Sequence, residues 1–391
     1  MKIGIDASRA FIKKRTGIEE YSYQVIRHLK NELVDCEVVL YVRAGEINER
    51  VKKFQLPKKW KIKEIKMPRF WTQIGLSLEM IFHPVDALFI PAHTVPIIHP
   101  SGWLMRLVNF FKQEKIKKFK TVVTIHGLEY EFLPKAYSLW ERFYMRLVIK
   151  KSCQWADKII SVSKNTKKDL VKLYKVPARK IKVIYEGFSF ADENPLRKKK
   201  NPRNVLKKYQ MDKNKYLLFL GRIEERKNLL RIIQSFEILK KEHQLSHKLL
   251  LAGGLGYGYN NIVKYIEASE FRDDIYLAGF IEDKDKREIL KNADVFLFPT
   301  LYEGFGLPII EAQSLGVPIV ASNNSSIPEI IGSDMKTLLV NPKEPEEIAE
   351  TIYKILSDKK IRARLINPGL KNVKRFSWEN CAKEIAEVLV K

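Results

Sequence analysis

Two glutamates separated by seven residues bracket the run Glu303-Gly-Phe-Gly-Leu-Pro-Ile-Ile-Glu311. The residues around them, Leu301, Tyr302, Phe305, Leu307, Pro308, Ile309 and Ile310, are apolar. Carboxylates are exposed by default, and a loop acid followed by a solvated helix acid is the plain reading; acids set in an apolar stretch call for a partner or a ligand. Just upstream, Asp294-Val-Phe-Leu-Phe-Pro299 is a short apolar run of β type that ends at a proline, so the order is strand, glycine turn, helix start. Ligands of open α/β sheets bind beyond the carboxyl ends of the strands, at such turns. Gly304 and Gly306 let the backbone approach a bulky anion, and the following helix N-terminus aims free N–H groups at it. An ionised glutamate only accepts hydrogen bonds, so sugar or ribose hydroxyls suit these acids better than phosphate.

Two other segments carry groups of complementary chemistry. Gly221-Arg222-Ile-Glu-Glu-Arg-Lys227-Asn228 follows an apolar run. A glycine turn with Arg222 and Lys227 five residues apart suits a diphosphate, because arginine supplies planar, bidentate donors and lysine a compact charge. Arg226 is compatible with the surface. Thr124-Ile-His126-Gly-Leu-Glu129 ends a strand and puts His126 at its carboxyl end, where a ligand would be met. A histidine satisfied by its own strand end is the alternative. Gly253-Gly-Leu-Gly-Tyr-Gly258 lacks the spacing and trailing acid of a dinucleotide site and reads as a flexible turn.

The elements that must position these groups alternate in type. In the first half, short β-branched runs occur at Ile3–Ala7, Glu37–Val42, Ala87–Ile90, Thr121–Ile125, Lys158–Val162 and Ile181–Ile184, with helical segments such as Ile18–Lys30 and Trp140–Ala156 between them. The second half repeats the alternation, with strands at Tyr216–Leu220, Lys248–Ala252, Ile275–Ala278, Val295–Pro299, Ile319–Ala321 and Thr337–Val340. This spacing predicts βαβ units and mostly parallel sheets. Leu196-Arg-Lys-Lys-Lys-Asn-Pro202 is basic and proline-punctuated, and marks a boundary near 187–203. The domains are read as 1–190 and 191–375, with a last helix in 376–391 capped by Ser377.

At 391 residues, two domains are the natural expectation, and 45% hydrophobic residues support real cores. Three cysteines, at 36, 153 and 381, form no CxxC pair and argue against a disulfide scaffold or thiolate cluster. The N-terminus reads as a first strand without the apolar core of a signal peptide, and no run of 18 or more apolar residues is present. A net charge of +25 points to an anionic partner: nucleic acid, an acidic membrane or phosphorylated substrates. In residues 101–120, Trp103, Leu104, Leu107, Val108 and Phe111 fall close to one helical face, while Arg106, Lys112, Lys115, Lys117, Lys118 and Lys120 stand against one acid, Glu114. A cationic amphipathic stretch with tryptophan suits an anionic membrane surface; a helix packed on the first domain with a wet basic face is the alternative.

The run Ala293-Asp-Val-Phe-Leu-Phe-Pro-Thr-Leu-Tyr-Glu-Gly-Phe-Gly-Leu-Pro-Ile-Ile-Glu-Ala312, followed by Gly316-Val-Pro-Ile-Val-Ala-Ser322 and Pro328-Glu329, resembles the E-x7-E region of the family-4 glycosyltransferases. These are retaining enzymes of the GT-B fold, in which two Rossmann-like α/β domains face each other across a cleft. The resemblance spans essentially the whole chain, densely after residue 215 and more loosely before 120. It implies an N-terminal acceptor domain and a C-terminal nucleotide-sugar domain onto which no metal or organic cofactor need be added. It assigns Arg222 and Lys227 to the donor diphosphate, Glu311 to the ribose hydroxyls and Glu303 to the donor sugar. The backbone of Gly304, Phe305, Gly306 and Leu307 lies beneath phosphates and sugar in that assignment, and His126 faces the sugar. Arg15-Thr-Gly17-Ile18 resembles the N-terminal glycine loop that nears the diphosphate, although family members often continue with a second glycine where this chain has Glu19-Glu20. Asp283-Lys-Asp285 has the D-x-D spacing of metal-dependent glycosyltransferases of another fold, but it falls in a charged loop before a helix ending near Lys291, and helix capping accounts for it better. The wording is most like mannosyltransferases, which makes GDP-mannose the first donor expected, ahead of UDP- or ADP-hexoses, with a glycan or lipid-linked acceptor on the cytoplasmic side of a membrane. A sugar-nucleotide 2-epimerase of the same architecture is the second reading. A basic nucleic-acid-binding protein is a third, suggested by charge alone, and no recognised nucleic-acid module supports it.

Overall fold

The structure is a computed structural model and describes residues 1–12, 17–45, 51, 54–67, 70–96, 119–190, 202–213 and 215–391. The amphipathic stretch with Trp103, Leu104, Leu107, Phe111, Lys112 and Lys115 lies outside the described residues, as do Arg15, Thr16 and most of the basic segment before Pro202. Two compact units emerge: Met1–Glu131 with Ser138–Gly187 and Phe376–Lys391, and Phe132–Tyr137 with Phe188–Arg375.

The N-terminal unit runs β1 (Lys2–Asp6), α1 (Gly17–Glu32), β2 (Glu37–Arg43), β3 (Trp60–Ile65), α2 (Leu76–Phe82), β4 (Ala87–Ile90), β5 (Lys120–Ile125), α3 (Glu129–Phe132), α4 (Leu139–Trp155), β6 (Lys158–Ser161), α5 (Lys164–Tyr174) and β7 (Ile181–Val183). Its seven strands are all parallel, in the order β3-β2-β1-β4-β5-β6-β7. Parallel strands are covered on both faces, which is why most of them read as unbroken apolar runs. β3 is the exception: Trp-Lys-Ile-Lys-Glu-Ile alternates along an edge strand that is mostly half-exposed, so a search for continuous apolar runs passes over it.

The C-terminal unit continues with α6 (Pro202–Lys208), β8 (Tyr216–Leu220), α7 (Leu229–His243), β9 (Lys248–Ala252), α8 (Tyr259–Ala268), β10 (Ile275–Gly279), α9 (Asp283–Lys291), β11 (Val295–Phe298), α10 (Leu307–Ser314), β12 (Ile319–Ser322), α11 (Ile327–Ile331), β13 (Leu339–Val340), α12 (Pro345–Ser357) and α13 (Lys359–Val373). Its parallel sheet has the order β10-β9-β8-β11-β12-β13. From β8 the chain winds outward through β9 and β10, then returns to β11 and winds the other way. The loops after β8 and β11 therefore diverge at a topological switch point, where open α/β sheets leave a crevice for ligands. The Gly221–Asn228 and Thr300–Gly306 segments are those two loops.

The last helix, α14 (Trp378–Val390), returns to the N-terminal unit and packs on α1, β4 and β5. Ser377 caps it, its Oγ accepting the Asn380 N–H at 3.2 Å. The hydroxyl satisfies one of the donors that a helix start leaves unpaired.

Candidate active site

At the switch point of the C-terminal sheet, charged groups from the two loops meet out of water. Lys227 Nζ donates to Glu303 Oε1 at 2.6 Å, and both side chains are 10% exposed. Arg226 reaches the same oxygen at 3.2 Å through Nη1, donates to Tyr302 O at 3.1 Å, and holds Glu224 Oε1 at 2.8 Å through Nη2. Burial alone would raise the Glu303 carboxyl; the charges of Lys227 and Arg226 outweigh it and hold it below the ordinary glutamate range. Burial, reinforced by Arg226, draws the Lys227 ammonium below the ordinary lysine range against the pull of Glu303. A desolvated ion pair persists only with further hydrogen bonds around it, and Arg226 supplies them. Arg226 is thus no surface residue. Arg222 is the outlying one: its side chain is 57% exposed and lies 3.6 Å from Glu224 Oε2. Its sequence spacing from Lys227 matched a diphosphate clamp, but only Lys227 is drawn into the buried set.

The backbone beneath Glu303 is pinned from the loop after β12. Ser325, at φ 51 in the left-handed region, accepts the Glu303 N–H on Oγ at 3.1 Å. Ser326 Oγ donates to Glu303 O at 3.0 Å and to Phe305 O at 2.6 Å. A non-glycine residue at positive φ stores backbone strain and is characteristic of loops built for a task. Gly306, at φ 118, ends the turn, and α10 starts at Leu307. α7 starts directly after Asn228, so two helix N-termini face the switch point.

Glu311 sits one turn into α10 and belongs to a separate pair. Its Oε1 accepts from Lys286 of α9 at 2.5 Å. Its other oxygen, Oε2, is buried with no hydrogen-bond partner among the described residues. A buried carboxylate oxygen left without a donor is costly, and a ligand hydroxyl would satisfy it. Lys286 went unnoticed in the sequence, where it is one of several charges on a polar helix face.

The glycine loop 253–258 is not a flexible turn. Ile223 N–H donates to Gly254 O at 2.8 Å, Gly256 N–H to Ile223 O at 2.9 Å and Glu225 N–H to Tyr257 O at 3.0 Å, binding it to the loop that carries Lys227. At Gly253, φ is 149 and a Cβ would lie 1.7 Å from Gly221 O, so only glycine allows the two turns to cross. Asp283 and Asp285 lie in the first turn of α9 rather than in a loop before it. Asp285 is fully buried and accepts from Lys208 Nζ at 2.9 Å and Tyr209 Oη at 3.2 Å, which ties α9 to the end of α6. It is a structural acid, not a helix cap. Among the described residues no three His, Cys, Asp or Glu side chains assemble into a set that could hold a metal ion.

In the N-terminal unit, β1, β4 and β5 bring their carboxyl ends side by side. His126 follows β5. Its Nε2 lies 2.8 Å from Pro91 O, a pure acceptor, so that nitrogen carries a hydrogen; Nδ1 faces Glu186 Oε1 at 3.3 Å. Tyr21 packs edge-on against the ring at 4.6 Å. Both ring nitrogens are engaged by the protein, which fixes the orientation of the imidazole. His93, which the sequence reading passed over, accepts the His126 backbone N–H on Nδ1 at 3.4 Å. Desolvation, with the nearby His126 and Arg9 charges, pushes His93 down to about 3, so it is a neutral imidazole. Gly17 is the first residue of α1 and is exposed; a Cβ there would meet nothing within 4 Å, so packing does not require glycine. The two acids after it are accounted for: Glu19 pairs with Arg9 at 2.9 Å and Glu20 accepts from Gln24 at 2.7 Å.

Two Rossmann-like units, each on a parallel sheet, define the GT-B class of α/β proteins. Residues 199–372 match the family profile described as glycosyl transferases group 1, and residues 15–191 match glycosyltransferase family 4. The O-antigen chain mannosyltransferase B of Escherichia coli is 31% identical over 298 residues, covering 74% of this chain and 77% of that protein. An uncharacterised glycosyltransferase of Methanocaldococcus jannaschii is 28% identical over 344 residues, covering 84% and 83%. The crystal structure of Anabaena HepE in complex with UDP and glucose aligns with a TM-score of 0.70 at 17% identity, over 99% of this chain and 98% of HepE. The chain belongs to the group 1, family 4 glycosyltransferases and is a transferase of the GT-B fold.

Proposed function

We propose that the protein transfers a hexose from a nucleotide sugar, GDP-mannose in the first instance, to a glycan or lipid-linked acceptor, with retention at the anomeric carbon and without an essential metal or organic cofactor. The observation that carries this reading is the buried set of Lys227, Glu303 and Arg226 at the switch point of the C-terminal sheet. In this assignment the C-terminal unit binds the donor and the N-terminal unit the acceptor. Lys227 and Arg222 meet the charge that develops on the departing diphosphate, an electrostatic contribution at the leaving group. To do so Lys227 exchanges Glu303 for phosphate oxygen. Arg226, anchored on Glu224 and Tyr302 O, keeps Glu303 ionised and in place for the donor sugar. Glu311 Oε2 accepts a ribose hydroxyl, and the N–H groups of residues 304–307 lie under phosphate and sugar. In the first unit, the family resemblance assigns His126 to the donor sugar and Gly17 to the diphosphate.

The bond from the anomeric carbon to the diphosphate oxygen breaks while the acceptor oxygen bonds on the same face, and the acceptor proton passes to the departing phosphate oxygen. Glu303 is then a positioning acid rather than a nucleophile, which fits a carboxylate already shared by two cations. Mannose is favoured by the O-antigen mannosyltransferase relative, which supports a role in cell-surface polysaccharide synthesis; a lipid-linked acceptor would put the reaction at the inner face of the membrane. HepE was crystallised with UDP and glucose, so UDP-hexoses belong in the test. Purified protein is incubated with GDP-, UDP- and ADP-sugars in chelator, and nucleotide release and sugar identity are followed. Release of one nucleotide, increased by a membrane-lipid extract, is expected. A sugar epimerised without nucleotide release would replace the transferase reading with an isomerase.

A further inference from the structure

Helix α4 turns an apolar ridge to solvent. Leu139, Trp140, Phe143, Tyr144 and Leu147 are 83%, 81%, 61%, 54% and 47% exposed, and their spacing sets them along one side of the helix. The ridge begins at a well-formed helix start, where Ser138 and Glu141 make a reciprocal capping box, so its exposure does not come from fraying. Trp140 and Phe143 pack edge to face at 6.4 Å, which orders the ridge within itself. Five neighbouring exposed apolar side chains along one helix face mark a contact surface.

The charge around it is in positive excess. Glu141 is the only acid in α4 and serves the cap, and Glu131 of α3 is taken up by Arg146, which leaves Arg142, Lys150 and Lys151 as the further cations of the helix. At the far end of the ridge a hollow of about 420 Å³ opens between α4 and α5, with Lys150, Lys175 and Lys180 in its wall and no carboxylate. Lys180 is held by Gln154 O and Ala156 O. α5 adds exposed Lys164, Lys168 and Lys172 beside exposed Val171 and Leu173. Aromatic rings with a polar edge settle at the headgroup level of a bilayer, and clustered lysines are drawn to anionic lipid. No described helix is long and apolar enough to cross a membrane, so contact with lipid through these helices is interfacial.

We propose that the α4–α5 face docks on anionic phospholipid bilayers, with the Leu139–Leu147 ridge entering the interface and the lysine-walled hollow receiving lipid phosphate. The site lies on helices separate in sequence from the stretch around Trp103 and from the charged set at Lys227. It is tested by co-sedimentation of the full chain with phosphatidylcholine vesicles, with and without phosphatidylglycerol. No donor or acceptor is present, so the outcome is separate from that of the transfer reaction. Binding only to the phosphatidylglycerol vesicles is expected, weakened by salt. Trp140→Ser/Phe143→Ser and Lys150→Gln/Lys175→Gln should each lower the partition by about tenfold or more. All four side chains are surface groups, and unchanged thermal melting verifies the fold. The proposal is overturned if the wild type ignores anionic vesicles, or if Trp140→Ser/Phe143→Ser binds them as well as wild type does. Self-association abolished by that variant, without vesicle binding, would instead assign the face to a second copy. Uptake of inorganic phosphate without vesicle binding would reduce the hollow to a free-anion site.

Discussion

Replacing Arg226 by methionine tests whether the charged set at the switch point is a coupled unit. The guanidinium bridges Glu224 at 2.8 Å and Glu303 at 3.2 Å and is 20% exposed. At an effective dielectric of about 20, each such contact represents about 5 kcal/mol of gross Coulomb attraction, most of it offset by desolvation. Removing one member of a buried pair costs about 3–5 kcal/mol, because the other is left charged and unpaired. Here the residual exposure, the nearby Arg222 and the surviving Lys227–Glu303 bond bring this down, to about 2–3 kcal/mol. In urea that is a midpoint shift of about 1 M for a unit of this size. The pH dependence carries more information. Glu303 is depressed in the folded protein, so its contribution is complete above the unfolded glutamate value and is lost as the pH falls through the folded one. Without Arg226 the carboxyl rises, and the gap between wild type and variant is widest near neutrality and narrows through the carboxylate range. Urea unfolding by far-UV circular dichroism reads this. Tryptophan fluorescence is the internal control, because all six tryptophans lie outside Phe188–Arg375. Arg226→Lys restores the charge but not the fork and should recover only part of the loss. A shift below about 0.5 kcal/mol at neutral pH, within the range of ordinary surface substitutions, would refute the reasoning, as would a gap that widens in acid.

Three other outcomes follow from the same geometry. Asn228 sits at φ 64 and its Nδ2 donates to Pro299 O and Pro342 O; Asn228→Ala should cost about 3 kcal/mol in unfolding experiments, and Asn228→Gly about 1 kcal/mol less, since glycine relieves the backbone. Gly253→Ala forces a Cβ to within 1.7 Å of Gly221 O and should yield protein that is insoluble or melts far below wild type; a normal melt would show that the two turns can separate. Glu311→Ala should weaken nucleotide-sugar binding in calorimetry by about tenfold or more, the scale of a lost hydrogen bond to a charged acceptor, and unchanged affinity would remove Glu311 from the donor site.

Much of the fold was legible because parallel strands covered on both faces leave continuous apolar runs. Tyr216–Leu220 and Lys248–Ala252 stand in the structure with the bounds read from sequence, and α14 starts after Ser377, where a hydroxyl meets the first turn. β3 escaped because an edge strand alternates. Glu303, Glu311, Lys227 and His126 could be singled out because charged or titratable groups beside glycines at strand ends are chemically unusual in one dimension.

Which of these groups meet was another matter. Lys227 and Glu303 are 76 residues apart, and they touch because β8 and β11 are hydrogen-bonded neighbours, Leu217 beside Val295. Arg222 and Arg226 flank the same short loop and look alike in sequence, yet the turn sends one to water and the other between two acids. Glu311 gained Lys286, and His126 gained Pro91, Glu186 and His93, through crossovers that local pattern does not encode. The amino-acid sequence by itself determined the alternating elements, the two sheets and the chemical types available at strand ends, since burial and helix capping act over a few residues. Strand order and register decided the pairing of charges, the exposure of the α4 ridge and the ionisation of Glu303, because desolvation and Coulomb terms depend on distances that only the packed chain sets.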